Sequence, residues 1–295
     1  MKKFNYRTTQ LDVRGLNYHI QEWGEDSKPL LILLHGWMDC GASFKFMAQY
    51  LADSFHIVAP DFRGFGETDH VSNGYWFPDY YADLEVLINH YSPNDKVDLA
   101  GHSMGANIAL IYSGLMNDRV NRVMAIDGLG LPESKSSDAP AKQRQWIKDS
   151  LTDRGSKVYA DKGQLKASIK TMNPELSDLI VEELCELWAR PGEQQGTFIL
   201  KHDHKHRHAN PYRYLYSDVK ETWKEVKADV SIVIAKNSWL FKRAQQSDRI
   251  DEARQILNVS DENFFIVEET GHMLHLEQPK ATANVVKQFF SSKGN

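Results

Sequence analysis

The chain has 295 residues, 41% of them hydrophobic and 25% charged, close to the composition of an ordinary globular protein. Lys and Arg number 35 against 40 Asp and Glu, so the net charge of −5 lacks the basic excess of a nucleic-acid binder. Two cysteines, Cys40 and Cys185, cannot build a disulfide framework, and the longest apolar run, Leu30 to Leu34, is too short to cross a bilayer.

In chain order, Thr8 to Trp23 alternates and turns at Arg14-Gly15, which predicts an antiparallel hairpin at a sheet edge. Short apolar runs follow: Leu30–Leu34, Phe55–Ala59, Val97–Ala100 and Val120–Ile126. Runs of this length suit strands covered on both faces, as in a parallel sheet. Helical patterns separate them. Ser43 is the expected N-cap of one, with Phe46, Met47, Tyr50 and Leu51 on its buried face; others run from Tyr80 to Tyr91 and from Ser103 onward. From Pro132 to about Asp229 no strand rhythm is evident. Helices are expected around Trp146–Leu151 and Val219–Val226, and from an Asn173-Pro174 start through Trp188 to a Pro191-Gly192 stop. Strand patterns return at Val230–Ala235 and Asn263–Val267, and a helix from Pro279 to Phe290 closes the chain. The β-α-β-α rhythm predicts a mostly parallel, doubly wound sheet interrupted by a long helical insertion.

Gly101-His102-Ser103-Met104-Gly105 is a G-x-S-x-G pattern placed between a predicted strand and a predicted helix, the context that gives the motif meaning. The tight turn presents Ser103 at the carboxyl edge of the sheet, and the helix N-terminus offers amides to an oxyanion. A serine nucleophile needs a base. His272, after the last strand, is the candidate, with His275 as its competitor. The second oxyanion donor is expected from His35-Gly36-Trp37-Met38, through the amide of Trp37, beside that of Met104. With these segments and Asp61–Gly66, the chain resembles the α/β-hydrolase superfamily over nearly its full length. The resemblance implies a hydrolase core of residues 1–131 and 230–295, a helical cap of residues 132–229, and a pocket between them. It implies a serine, a histidine and an acid at work there, and it speaks to fold rather than to substrate.

The acid is where the pattern departs. The usual place after the penultimate strand reads Ala235-Lys236-Asn237-Ser238-Trp239, with no carboxylate. Asp127, one strand earlier, preserves the order Ser, Asp, His that such triads follow. Asp248 and an unassisted Ser–His pair stay open beside it. Trp37, His102, Trp76 and Trp239 are the candidate pocket residues. Cys40 and the loop residues Asp61, Arg63 and Asp69 read as structural. The run His202-Asp203-His204-Lys205-His206-Arg207-His208 has no matching partner ligands and reads as a solvated loop, so no metal and no cofactor are expected.

The resulting expectation is a serine hydrolase of small or medium esters or related acyl compounds. A cofactor-free dioxygenase that cleaves N-heteroaromatic rings, or a carbon–carbon bond hydrolase, is the alternative on the same fold. A receptor on a hydrolase scaffold has no need of Ser103, His272 and an oxyanion loop together. Dehalogenases and epoxide hydrolases of this fold carry Asp where Ser103 stands. The polar start Met1–Arg7 lacks signal-peptide character, which makes the cytoplasm the expected location. A small-molecule substrate is expected, with neither nucleic acid nor membrane as partner. The sequence leaves the oligomeric state open.

Overall fold

The computed structural model describes residues 6–152, 155–244 and 248–292. The chain begins with the hairpin β1 (Arg7–Val13) and β2 (Leu16–Trp23). Its two turn residues, Arg14 and Gly15, both adopt positive φ, the geometry that matches the strand twist in a two-residue hairpin. Then follow β3 (Leu30–Leu34), α1 (Lys45–Ala48), β4 (His56–Pro60), α2 (Phe77–Tyr91), β5 (Val97–His102), α3 (Met104–Leu115) and β6 (Val120–Ile126). The inserted block carries α4 (Ala139–Ser150), β7 (Val158–Tyr159), α5 (Lys162–Met172), α6 (Asp178–Trp188), β8 (Ala189–Pro191) and β9 (Phe198–Leu200). The chain ends with α7 (Tyr216–Lys224), β10 (Asp229–Ala235), α8 (Trp239–Ala244), α9 (Arg249–Ile256), β11 (Phe264–Val267), α10 (Leu274–Glu277) and α11 (Pro279–Ser291).

Among the described residues the main sheet has eight strands in the order β1-β2-β4-β3-β5-β6-β10-β11. β2 pairs antiparallel with both neighbours, and the pairs from β4 to β11 are parallel. Side chains alternate across each strand, so the apolar runs feed two cores. Ile32, Leu34, Leu99, Val123 and Ile232 face α2, α3 and α7. Leu31, Leu33, Ala100, Met124 and Val233 face α1 and α11. The chain leaves β3 for β4 on one side and returns to β5 on the other. That switch point opens a crevice at the carboxyl ends of β3 and β5, where such sheets hold their ligands.

Four expectations need correction. The inserted block holds a small antiparallel sheet, β7-β9-β8, whose two- and three-residue strands are too short to leave a period in the sequence. Its expected end at residue 229 falls too late. Tyr216, Val219 and Trp223 of α7 pack into the first core, and Gly114 of α3 meets the Thr222 backbone so closely that a Cβ would lie 2.1 Å from its carbonyl oxygen. Ser43 is not an N-cap: Cys40 holds that place for a 3-10 turn, and the Ser43 hydroxyl donates to Asp39 Oδ2 at 2.9 Å. Asn173 ends α5 rather than starting α6, whose N-cap is Ser177.

Candidate active site

β5 ends in a turn that holds Ser103 at φ 53° and ψ −109°, a strained backbone for a residue with a Cβ. The strain persists because both flanking glycines lie against main chain. A Cβ on Gly101 would sit 2.2 Å from the Gly105 oxygen, and one on Gly105 would sit 2.1 Å from the Leu34 oxygen. The serine hydroxyl is thereby pushed clear of the sheet. Ser103 Oγ lies 2.9 Å from His272 Nε2, and His272 Nδ1 lies 2.6 Å from Asp127 Oδ2. This pattern assigns the imidazole proton to Nδ1 and leaves Nε2 to accept from the serine.

Asp127 is fully buried and, like Ser103, has a positive φ, of 46°. Its amide is held by Val233 O at 2.7 Å. Its other oxygen, Oδ1, accepts from the Ala235 amide at 3.0 Å and from the Ser238 hydroxyl at 3.1 Å. The segment after β10 that lacks a carboxylate therefore supplies donors to one standing on the neighbouring strand. Asp248 stands exposed at the head of α9, and Asn237 is exposed with its amide on Thr270 O. Neither is placed with the three residues above.

The loop after β3 runs close under the serine. A Cβ on Gly36 would fall 3.3 Å from Ser103 Cβ. His35 is buried, and its Nε2 accepts from the Phe62 amide at 2.9 Å, which ties this loop to the one after β4. Burial holds its pKa below the ordinary histidine value. Met104 opens α3, so its N–H belongs to the first turn, which has no acceptor within the helix.

A cavity of about 980 Å³ opens over these residues. Ser103, Asp127 and His272 form its floor with Trp37 and Met104, and Trp76, Trp146, Trp188 and Trp239 line its walls. Of the four candidate pocket residues, Trp37, Trp76 and Trp239 line this cavity. His102 is the exception: it is buried beneath the floor, where Nε2–H donates to His272 O at 2.7 Å. A residue just before the nucleophile still belongs to the strand, so its side chain points into the protein. His275 is also buried, with Nε2 3.2 Å from Asp39, and is not the partner of Ser103.

The histidine run is not a solvated loop. His202, His204, His206 and His208 all line the roof of the cavity. The His206 ring stacks between Phe65 and Tyr75, with centroids 3.8 and 3.6 Å away. Burial pushes the pKa of His206 down to about 3 and that of His202 to about 4. The alternation of histidines was the available signal, since alternate residues of an extended segment share a face. Nothing in the local sequence names Phe65 and Tyr75 as their partners. Arg63 and Asp61 are structural, as expected. Arg63 makes two 2.6 Å bonds to Asp83, and Asp61 accepts from the Gly41 and Glu67 amides.

Residues 29–279 match the family model described as the alpha/beta hydrolase fold. The chain belongs to this family. It is 29% identical over 281 residues to a serine hydrolase-like protein of Danio rerio, covering 91% of this chain and 83% of that protein. It is 27% identical over 172 residues, 58% of each chain, to the 2-(acetamidomethylene)succinate hydrolase of Mesorhizobium japonicum. The thioesterase domain from the curacin biosynthetic pathway superposes with a TM-score of 0.83 over 98% of this chain and all of that one, at 20% identity, a likeness of fold. Within the described residues, no helix of this α/β-hydrolase family member is long and apolar enough to cross a membrane.

Proposed function

We propose that the chain is a serine hydrolase that cleaves a small or medium ester, or a related acyl compound, through an acyl-enzyme. The observation that carries this reading is Ser103 Oγ, on a strained turn, 2.9 Å from a histidine nitrogen whose other nitrogen meets a buried carboxylate. In the first step His272 Nε2 takes the proton of Ser103 as Oγ attacks the carbonyl carbon. Asp127 stabilises the imidazolium through Nδ1–H and keeps the ring turned. The amides of Trp37 and Met104 receive the oxyanion. His272 then protonates the leaving group. Water, deprotonated by the same nitrogen, attacks the acyl-enzyme and frees Ser103. A roofed cavity with aromatic walls fits a compact acyl substrate rather than a polymer. The serine hydrolase-like name of the zebrafish relative supports the same reaction class. Cys40 and Cys185 are buried and free, which fits the cytoplasm.

The test is hydrolysis of p-nitrophenyl esters of graded acyl length by wild type and Ser103→Ala. The expected result is turnover by the wild type and a loss of about 10³-fold or more in the variant. Absence of turnover by the wild type on every ester overturns the ester reading. The position of Asp127 just past the end of β6 favours a second reading, in which the His272–Asp127 pair deprotonates a hydroxylated heteroaromatic ring. Oxygen uptake with a 3-hydroxy-4-quinolone would then replace ester turnover. Carbon–carbon bond hydrolysis would use the same residues as the ester mechanism and would show itself on a β-diketone.

A further inference from the structure

Beneath the cavity floor lies a group of polar side chains that the proposed chemistry does not use. Asp39, His102 and His275 are all buried, and each offers a potential ligand atom within 4.8 Å of the other two. Each imidazole has one nitrogen engaged. His102 donates from Nε2 to the His272 carbonyl at 2.7 Å, and His275 Nε2 faces Asp39 Oδ2 at 3.2 Å with the Ser43 hydroxyl at 3.4 Å. Neither Nδ1 atom has a hydrogen-bond partner, and with its proton on Nε2 the His102 ring carries a bare lone pair on Nδ1. The two rings lie 4.5 Å apart, centroid to centroid. Buried polar atoms are rarely left in this state.

His102, with its N–H fixed by a carbonyl and its other nitrogen bare, has the arrangement that orients a metal ligand, and His275 presents Nε2 to the Asp39 carboxylate, where an ion would take the place of the proton and leave it to Nδ1. Two imidazoles and one carboxylate suit zinc, cobalt or copper, and do not suit calcium or magnesium. Asp39 also lines the cavity, which provides the way in. A second three-residue group, Glu22, Asp26 and His56, does not compete. The Arg7 guanidinium is bonded to all three and fills the place of a cation.

We propose that Asp39, His102 and His275 form an inhibitory site for a divalent transition-metal ion of the zinc class. Asp39 Oδ1 now accepts from the Trp188 indole and the Cys40 amide, both at 2.8 Å. Turning that carboxylate toward a metal loosens the loop from Gly36 to Cys40 and its tie to the cap. His102 adjoins Ser103 and holds the backbone of His272, so the same event pulls on both.

The experiment uses the full chain, stripped with a chelator and titrated with Co²⁺. The expected result is one visible absorption band at one ion per chain, displaced by Zn²⁺. The band is expected to vanish in Asp39→Asn and His275→Gln, and to persist in His272→Ala and in the double variant His204→Gln/His208→Gln. No band in the wild type, or a band that survives both Asp39→Asn and His275→Gln, overturns the proposal. Loss of the band in His272→Ala or in the double variant places the ion elsewhere and overturns it too. Should the two ligand variants fail to fold, zinc-edge X-ray absorption of the wild type decides. Two imidazoles with oxygen support the site, and three or more imidazoles overturn it. These readouts do not depend on the proposed hydrolysis. Where ester turnover is measurable, saturating Zn²⁺ is expected to lower it at least tenfold, and undiminished turnover with the ion bound overturns the inhibitory part.

Discussion

The floor and the roof of the cavity hold their polar groups in different ways. On the floor, Ser103, Asp127 and Trp37 stand just past the ends of three parallel strands, and β-sheet register fixes where those ends lie. His272 follows β11, two strands further out. Asp127 alone accepts three hydrogen bonds through two oxygens. The roof comes from the inserted block and is tied down at its margins. The Asp203 amide donates to Gly64 O and the Tyr75 hydroxyl to Asp203, both at 2.8 Å, while Trp188 donates to Asp39. Between those ties, α4 and its C-cap Leu151 bury little: Ile147 and Leu151 are exposed, and Trp146 is half-buried over the cavity. Fixed groups suit bond making, and a thinly anchored wall suits the choice of substrate. Changes on the floor should therefore act on kcat, and changes in the roof on KM or on stability.

The strongest test of the floor is Asp127→Asn. The amide keeps the volume but reverses the tautomer it favours in His272, and a loss of about 10⁴-fold in kcat is expected with the fold retained by circular dichroism. A loss below tenfold would remove Asp127 from the mechanism and return attention to an unassisted Ser–His pair.

For the roof, the His206 ring between Phe65 and Tyr75 makes an effect of pH on stability. Burial lowers its pKa, against the opposing pull of Asp203, to about 3 in the fold, while the unfolded chain has the ordinary value near 6.5. Between these values the unfolded state binds more protons, so stability falls as pH drops below about 6.5 and stops falling near 3. From pH 7 to pH 5 this amounts to about 2 kcal/mol. His206→Phe keeps a ring in the stack and removes the titration. Its urea midpoint is expected to drop less than that of the wild type over this interval. Equal drops would show that His206 is hydrated in solution.

Trp146→Ala tests whether the exposed helix of the roof selects substrate. It is expected to raise KM about tenfold, or about 1.4 kcal/mol, for esters of medium acyl length while leaving kcat nearly unchanged. A fall in kcat of the same size would mean that α4 also orients the acyl group for attack.

How much of this was legible follows the same division. Ser103, His272 and the loop at Trp37 could be read because short apolar runs and the glycines of a tight turn are local signals. Asp127 could be read because strand order brings its end beside β10. The roof is less legible, since its strands are two or three residues long and His206 is buried by aromatic residues more than 125 positions away. The side chain of His102 is not legible from the motif, which names the position without saying which way the side chain turns. Ser238 has no signal of its own in the sequence, because a hydroxyl in the segment after β10 gains its role only from the carboxylate on the neighbouring strand end.

Ser238 is therefore where floor and sequence disagree most usefully. Its hydroxyl donates to Asp127 Oδ1 at 3.1 Å and accepts from the Phe241 amide at 3.0 Å, in the first turn of α8. Ser238→Ala removes both bonds, and the two losses have different signatures. Losing the contact to the backbone of α8 lowers stability and leaves the chemistry alone. Losing a donor to Asp127 loosens the carboxylate that orients His272, at a net value of about 1 kcal/mol, or about fivefold in kcat/KM. That loss is expected in kcat, with KM nearly unchanged. Ser238→Thr, which restores the hydroxyl, should recover most of the lost rate. A lowered melting temperature with an unchanged kcat would make Ser238 a helix cap alone, and the floor's chemistry would then rest on the Ala235 amide and the burial of Asp127.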